Sequence, residues 1–212
     1  WGLYGNDETK GVELFPSEDD EPEFGGRLQA PLGSGEIAAS AHTRLVDGSS
    51  MMLGEFREHR VALDGRWDVE VGLWVEAVLG RYDNDLLPFR WRQSGTVGVD
   101  YTIPVGNGIY VLAEHMAVSL ADEIGESDVD TDYSACMVTY QLGILDALTF
   151  IGYFSWDTER FSPYASWRRA WDRLELNLIF FDYKEADAGT ALLARETPVT
   201  GLGGQVVLIY NH

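Results

Sequence analysis

Hydrophobic and polar residues alternate along most of this chain with a period of two. In 68–79, Val69, Val71, Leu73, Val75, Ala77 and Leu79 share one parity, while Asp68, Glu70, Gly72, Trp74 and Glu76 share the other. A strand sends these two sets to opposite faces; a helix would scatter both around its axis. The pattern recurs in 173–183, where Leu174, Leu176, Leu178 and Phe180 oppose Arg173, Glu175 and Asn177. Ile37, Ala39, Ala41 and Thr43 oppose Glu36, Ser40, His42 and Arg44, and Val97, Val99, Tyr101 and Ile103 oppose Thr96, Gly98, Asp100 and Thr102. No segment carries a capped helical stripe.

Short turn signals and longer polar connections alternate between these runs. The short ones are 32–35, 63–66, 105–108, 145–147 and 170–173; the long ones are 6–22, 46–55, 83–88, 122–131, 157–162 and 184–200. Twelve strands result, near 1–5, 23–31, 36–45, 56–63, 67–81, 89–104, 109–121, 132–144, 148–156, 163–169, 173–183 and 202–211. A turn at Gly33 and Ser34 pairs Ala30 with Ile37 and Leu28 with Ala39. Turns at Asp64-Gly65-Arg66 and Leu145-Asp146-Ala147 would pair Val61 with Val69 and Ile144 with Leu148. Each puts apolar residues on a common face, as register requires. At Gly106-Asn107 one turn puts Glu114 on the apolar face with Val99. A longer, bulged turn puts Glu114 inside with Asp100 and exposes His115; it is favoured because it keeps a carboxylate out of hydrocarbon.

Composition narrows the function classes. The formal net charge is −20, which excludes nucleic-acid binding through a basic surface and argues against adhesion to anionic lipid. Seven Trp, ten Tyr and nine Phe argue against a disordered acidic chain. One cysteine, Cys136, allows no intramolecular disulfide and no cysteine-based metal site. No apolar run approaches the ~18 residues of a membrane helix, but barrel strands conceal their hydrophobicity in alternation. The start at Trp1 implies either a removed leader or further chain upstream.

With aromatics near strand ends (Tyr82, Phe89, Trp91, Tyr101, Tyr110, Tyr133, Trp156, Phe161, Tyr164, Trp167, Tyr183), the whole chain resembles bacterial outer-membrane β-barrels of the porin-like kind. The segment 164–178 looks like a barrel hairpin. The ending Leu208-Ile-Tyr-Asn-His212 departs from the terminal aromatic usual in such barrels, and the first strand is too short to cross a bilayer. The resemblance implies an all-β, antiparallel up-and-down transmembrane barrel of about twelve strands. It would form one domain over 1–212 or the C-terminal part of a larger barrel. It further implies an outer-membrane location, lipid as partner, small solutes in passage, and self-association as an open alternative.

Candidate chemistry is sparse. No G-x-S-x-G occurs. Ser40 and His42 are ~7 Å apart along a strand, and His115 and Ser119 ~13 Å, both beyond a direct bond. No enzyme activity and no cofactor are expected. Asp128, Asp130 and Asp132 form an oxygen-rich loop that suits Ca²⁺, although it lacks the glycine and distal glutamate of an EF-hand. The residues expected to line a lumen are Arg27, Glu36, Arg44, Glu70, Glu76, Asp100, Glu114, Arg168, Arg173 and Glu175. Their acidic excess favours cations, while Arg168, Arg169 and Arg173 form a local basic cluster that could attract anions or pair with Glu175. The expected function is passive diffusion of small solutes through a porin-like channel. Its alternatives are a non-conducting structural or surface-binding barrel, and a soluble secreted β-domain binding carbohydrate or calcium.

Overall fold

A computed structural model describes residues 1–5, 9, 13–183 and 201–210. Its strands are β1 (Gly2–Leu3), β2 (Glu23–Leu32), β3 (Gly35–Asp47), β4 (Glu55–Val69), β5 (Val71–Tyr82) and β6 (Trp91–Ile103). They continue as β7 (Ile109–Ala121), β8 (Val129–Gln141), β9 (Asp146–Ser155), β10 (Arg160–Ala170), β11 (Leu174–Tyr183) and β12 (Gly201–Tyr210). A single 3-10 turn, Ser49–Met51, is the one helical element among the described residues. All twelve strands form one antiparallel sheet in the order β1 to β12. The sheet is not closed: β12 and the β1–β2 edge are unpaired with each other.

Strand pairing assigns every side chain to a face, because directly paired residues project to the same side. Leu28, Ala39, Leu63, Ala77, Gly95 and Ala117 form one row across β2 to β7. This row belongs to an apolar face that includes Val61, Leu73, Val75, Val97, Phe150 and Leu208. Much of that face is open, with Leu28 at 82% exposure and Leu208 at 65%. The opposite face carries Arg27, Ser40, Ala62, Val78, Ser94 and Val118 in the adjoining row. The parity assignments made for 36–44, 68–79, 96–103 and 174–180 agree with these registers, except that Glu70 stands in the β4–β5 turn.

The turns differ in three places. The Gly33-Ser34 hairpin pairs Ala30 with Ile37 and Leu28 with Ala39, as expected. At Asp64-Gly65-Arg66 the chain does not turn; β4 runs on to Val69, and Val61 pairs with Leu79 rather than Val69. The physical reason is that Gly65 makes room for an aromatic ring: a Cβ there would lie 2.3 Å from the Trp67 indole. The reversal falls on Glu70, which takes a positive φ of 74° between Val69 and Val71. The second difference is at 142–145, where Tyr140 pairs with Leu148 and Ile144 stands in the turn instead of opposite Leu148. The β6–β7 turn is also longer than expected: it puts Glu114 opposite Gly98 rather than with Asp100, and His115 opposite Val97. Glu114 therefore lies on the polar face and His115 on the apolar one.

Aromatics mark both ends of the apolar face. Trp67, Tyr101, Tyr140, Trp167 and Tyr210 lie near the short-turn end, and Phe24, Trp91 and Phe161 near the long-loop end. Tyr82, Tyr110, Tyr133 and Tyr164, expected among the boundary aromatics, project instead to the polar face. The long connection expected at 184–200 lies outside the described residues.

Candidate functional site

The best-built site is on the polar face at the long-loop end of β3 to β5. There the β1–β2 connection folds back over the sheet. Ser17 bridges to Val46, the Asp47 N–H donates to the Pro16 carbonyl at 3.1 Å, and the Glu18 N–H donates to the Leu45 carbonyl at 3.0 Å. These bonds fix residues 13–18 as a strap. Phe15, 2% exposed, packs edge-on against Phe56 and Tyr82 with ring centroids 5.1 Å and 5.8 Å away. Leu14, Val46 and Leu120 complete this cluster, and Leu53, Leu87 and Phe89 flank it. It is the main hydrophobic core of the described residues, and it lies on the face that alternation marks as polar. Edge-to-face rings add to the burial of apolar area.

Beside the rings sits a buried ion network. Arg44 and Glu58 are each 1% exposed, and the Arg44 Nε donates to Glu58 at 2.6 Å. Arg60 grips the same carboxylate through Nε at 2.6 Å and Nη2 at 2.7 Å. The strap adds Glu13, which accepts from Arg60 at 2.7 Å and from Arg44 at 3.2 Å. Arg44 also donates to the Ser17 hydroxyl and the Phe15 carbonyl, both at 3.0 Å. Ser17 donates onward to Glu23 at 2.5 Å, and Glu23 lies 2.9 Å from His42. A buried charge is tolerated when hydrogen bonds satisfy it from several sides, which is the case for Glu58 and Arg44.

Down the same face the charges continue. Arg27 binds Asp64 bidentately at 2.5 Å and 2.7 Å, Gln29 donates to Glu36 at 2.6 Å, and the Trp74 indole donates to Glu114 at 3.0 Å. Farther round the sheet, Arg168 donates to Glu175 at 2.6 Å, and Asn177 donates to the same carboxylate at 3.0 Å.

Of the residues expected to line a lumen, Arg27, Glu36, Arg44, Glu76, Asp100, Glu114, Arg168 and Glu175 share the polar face. Glu70 does not: it is the tip of the β4–β5 turn. Arg173 does not either; it lies between β10 and β11 in a cleft with Leu145, Trp171, Asp172 and Leu174. The basic cluster is divided by the pleat. Arg168 pairs with Glu175 on the polar face, while Arg169, on the other, lies 3.4 Å from Asp146 and 5.2 Å from the Trp171 ring.

Several polar-face residues escaped the sequence reading. Glu58 and Arg60 share the parity of Ala62, opposite Val61 and Leu63, and parity alone would have found them. Asp64 and Arg66 were hidden by the misplaced turn. Glu13, Phe15 and Ser17 gave no periodic signal.

The acidic loop does not gather into a metal centre. The Asp128 carboxylate accepts from the Asp122 N–H at 3.2 Å, and Asp130 accepts from the Ser127 hydroxyl. Among the described residues no group of three or more His, Cys, Asp or Glu could hold a metal ion, so the calcium expectation at Asp128, Asp130 and Asp132 finds no geometric support. The same loop leans on the apolar face. Gln93 donates to the Glu126 carbonyl at 3.0 Å, and Ser119 donates to the Ser127 hydroxyl at 3.0 Å. Nearby, His115 is 2.9 Å from Ser134, which also accepts from the Trp156 indole at 2.9 Å. Neither His115 with Ser119 nor Ser40 with His42 forms a catalytic pair. Cys136 is exposed on the apolar face.

Compared with known protein families, curated proteins and solved structures, the chain matches none.

Proposed function

We propose that this chain forms the wall of an outer-membrane β-barrel whose polar face lines a lumen for passive passage of small solutes. The supporting observation is the two-faced meander. Strands β2 to β12 run 10 to 15 residues, enough for the ~9–11 that cross a bilayer at a tilt. One face is apolar, exposed and bounded by aromatics at both ends. Exposed apolar surface on this scale calls for a covering phase, and lipid covers a whole face at once. Strand β12 runs antiparallel to the two-residue β1, and any closure of the sheet would remove unsatisfied edge groups that hydrocarbon does not tolerate. Solutes would be sorted by charged side chains along the lumen rather than by covalent chemistry.

The strap favours a second reading, a barrel whose lumen is filled at one end. Phe15, Phe56 and Tyr82 occupy space that an open channel would leave to water.

Purification and conductance separate the readings. The membrane barrel requires detergent to stay monodisperse, and its unboiled form migrates differently from the boiled form on a gel. A monodisperse monomer at high concentration without detergent overturns membrane insertion. Stepwise conductance in planar bilayers supports the channel; insertion without conductance supports the filled barrel.

A further inference from the structure

Glu13 sits in the ion network differently from its partners. Glu58 belongs to the sheet and is held by Arg44 and Arg60 whatever the strap does. Glu13 belongs to the strap, and its two carboxylate oxygens are divided between the two arginines, Oε1 to Arg60 at 2.7 Å and Oε2 to Arg44 at 3.2 Å. With the strap lifted, Arg44 and Arg60 keep Glu58 but lose the carboxylate that bridges them. Arg44, 1% exposed, would also lose the Ser17 hydroxyl and the Phe15 carbonyl. Planar guanidinium donors arranged around one carboxylate make a recognition site for that group, wherever the carboxylate comes from.

We propose that Arg44 and Arg60 form a binding site for the carboxylate of a small solute, and that Glu13 is its tethered occupant. Binding and strap docking are then alternatives. A free carboxylate displaces Glu13 and frees the N-terminal end of the strap, while Phe15 and the backbone bonds of Pro16 and Glu18 hold the rest to the sheet. A short tether gives Glu13 an effective concentration on the millimolar scale, so competing solutes act at millimolar concentrations or above. The site needs only the β3–β4 face and the strap, and it does not depend on membrane insertion.

Chemical rescue tests this with formate, the smallest carboxylate. In Glu13→Ala the clamp is vacant and the thermal midpoint falls. About 10 mM formate, matched against chloride at equal ionic strength, restores a large part of the loss. Wild-type protein gains less from formate than Glu13→Ala does, because formate must compete with the tethered carboxylate, and Glu13→Ala combined with Arg60→Gln is not rescued. If Glu13→Ala does not fold, refolding yield in formate against chloride becomes the readout, and Glu13→Gln supplies a milder vacancy. The proposal is overturned if formate and chloride act alike on both variants, or if wild type and the Arg60→Gln combination respond as strongly as Glu13→Ala. A detergent-free monomer that shows selective rescue would sink the membrane reading and leave the clamp intact. A conducting barrel without rescue would do the reverse.

Discussion

The polar face is two surfaces rather than one. Across β2 to β6 it is dense with charge: Arg27, Glu36, Arg44, Glu58, Arg60, Asp64, Arg66, Glu76, Arg92 and Asp100 all project from it. Across β7 to β12 it carries Leu112, Met116, Met137, Thr139, Thr149, Ile151, Ser166, Ile179 and Val207, with Glu114, Arg160, Arg168 and Glu175 as its charges. Both halves obey the same alternation. The difference teaches that period sets the facing of a residue, while the chemistry of each half decides its task. The first half has the means to select by charge and carries the strap. The second supplies a sparsely charged wall of hydroxyls, aliphatic groups and tyrosine rings.

The sharpest way to break this comparison is to remove the same residue type from each half. Arg44→Ala leaves Glu58 buried with only Arg60 to neutralise it and takes the docking partner from Glu13, Ser17 and Phe15. Removing one partner of a buried pair costs roughly 3–5 kcal/mol, and the surviving Arg60 places this case near 3 kcal/mol. Denaturant unfolding, in detergent if the protein requires it, measures it. A loss below about 1 kcal/mol would mean that the network contributes no more than surface ion pairs do.

This contrast was only partly legible in the sequence. Alternation alone placed Leu73, Val75, Glu76, Asp100 and Glu175 on their faces, because the period survives whatever the turn geometry. Turn position was harder. Asp64-Gly65 looks like a reversal, since glycine permits positive φ, yet Gly65 is there to lie under Trp67, and the reversal falls on Glu70. The alternation runs straight through Glu70, so nothing in the pattern marked it. The strap was least legible. Leu14 and Phe15 stand in a polar connection with no period, and their burial depends on Phe56 and Tyr82, which lie far along the chain. A loop residue that docks on a distant strand leaves no local trace.

Selectivity gives the next test, with a smaller effect. If the barrel conducts, the charged half governs ion preference: the five carboxylates and five arginines named above balance, and Glu23 and Asp68 on the same face make the excess acidic, which favours cations. Glu76→Gln should lower the cation-to-anion permeability ratio, read from reversal potentials under a KCl gradient. Thr149→Gln, a neutral change in the other half, should leave it unchanged. The preference should fade between 0.1 M and 1 M salt as the Debye length falls from ~10 Å to ~3 Å. Anion preference in the unmodified protein refutes the acidic-lumen assignment. Equal shifts from both substitutions refute the division of the face.

The smallest effect is expected at Arg168. This residue resembles Arg44 in three respects: it is an arginine, it lies on the polar face, and its donor is 2.6 Å from a glutamate on the neighbouring strand. It differs in its surroundings. Its side chain is 56% exposed against 1% for Arg44, and Glu175 keeps Asn177 as a second donor at 3.0 Å. Water screens such a pair, and holding a long side chain in one rotamer offsets much of the attraction. Arg168→Ala should therefore cost no more than a small fraction of what Arg44→Ala costs by the same unfolding measurement. The Arg168→Ala, Glu175→Ala double-mutant cycle should return a coupling energy inside the same limit, lower still in high salt. A coupling near that of the Arg44 network would mean that distance alone sets the strength of these pairs. The two halves of the polar face would then be energetically alike despite their different composition.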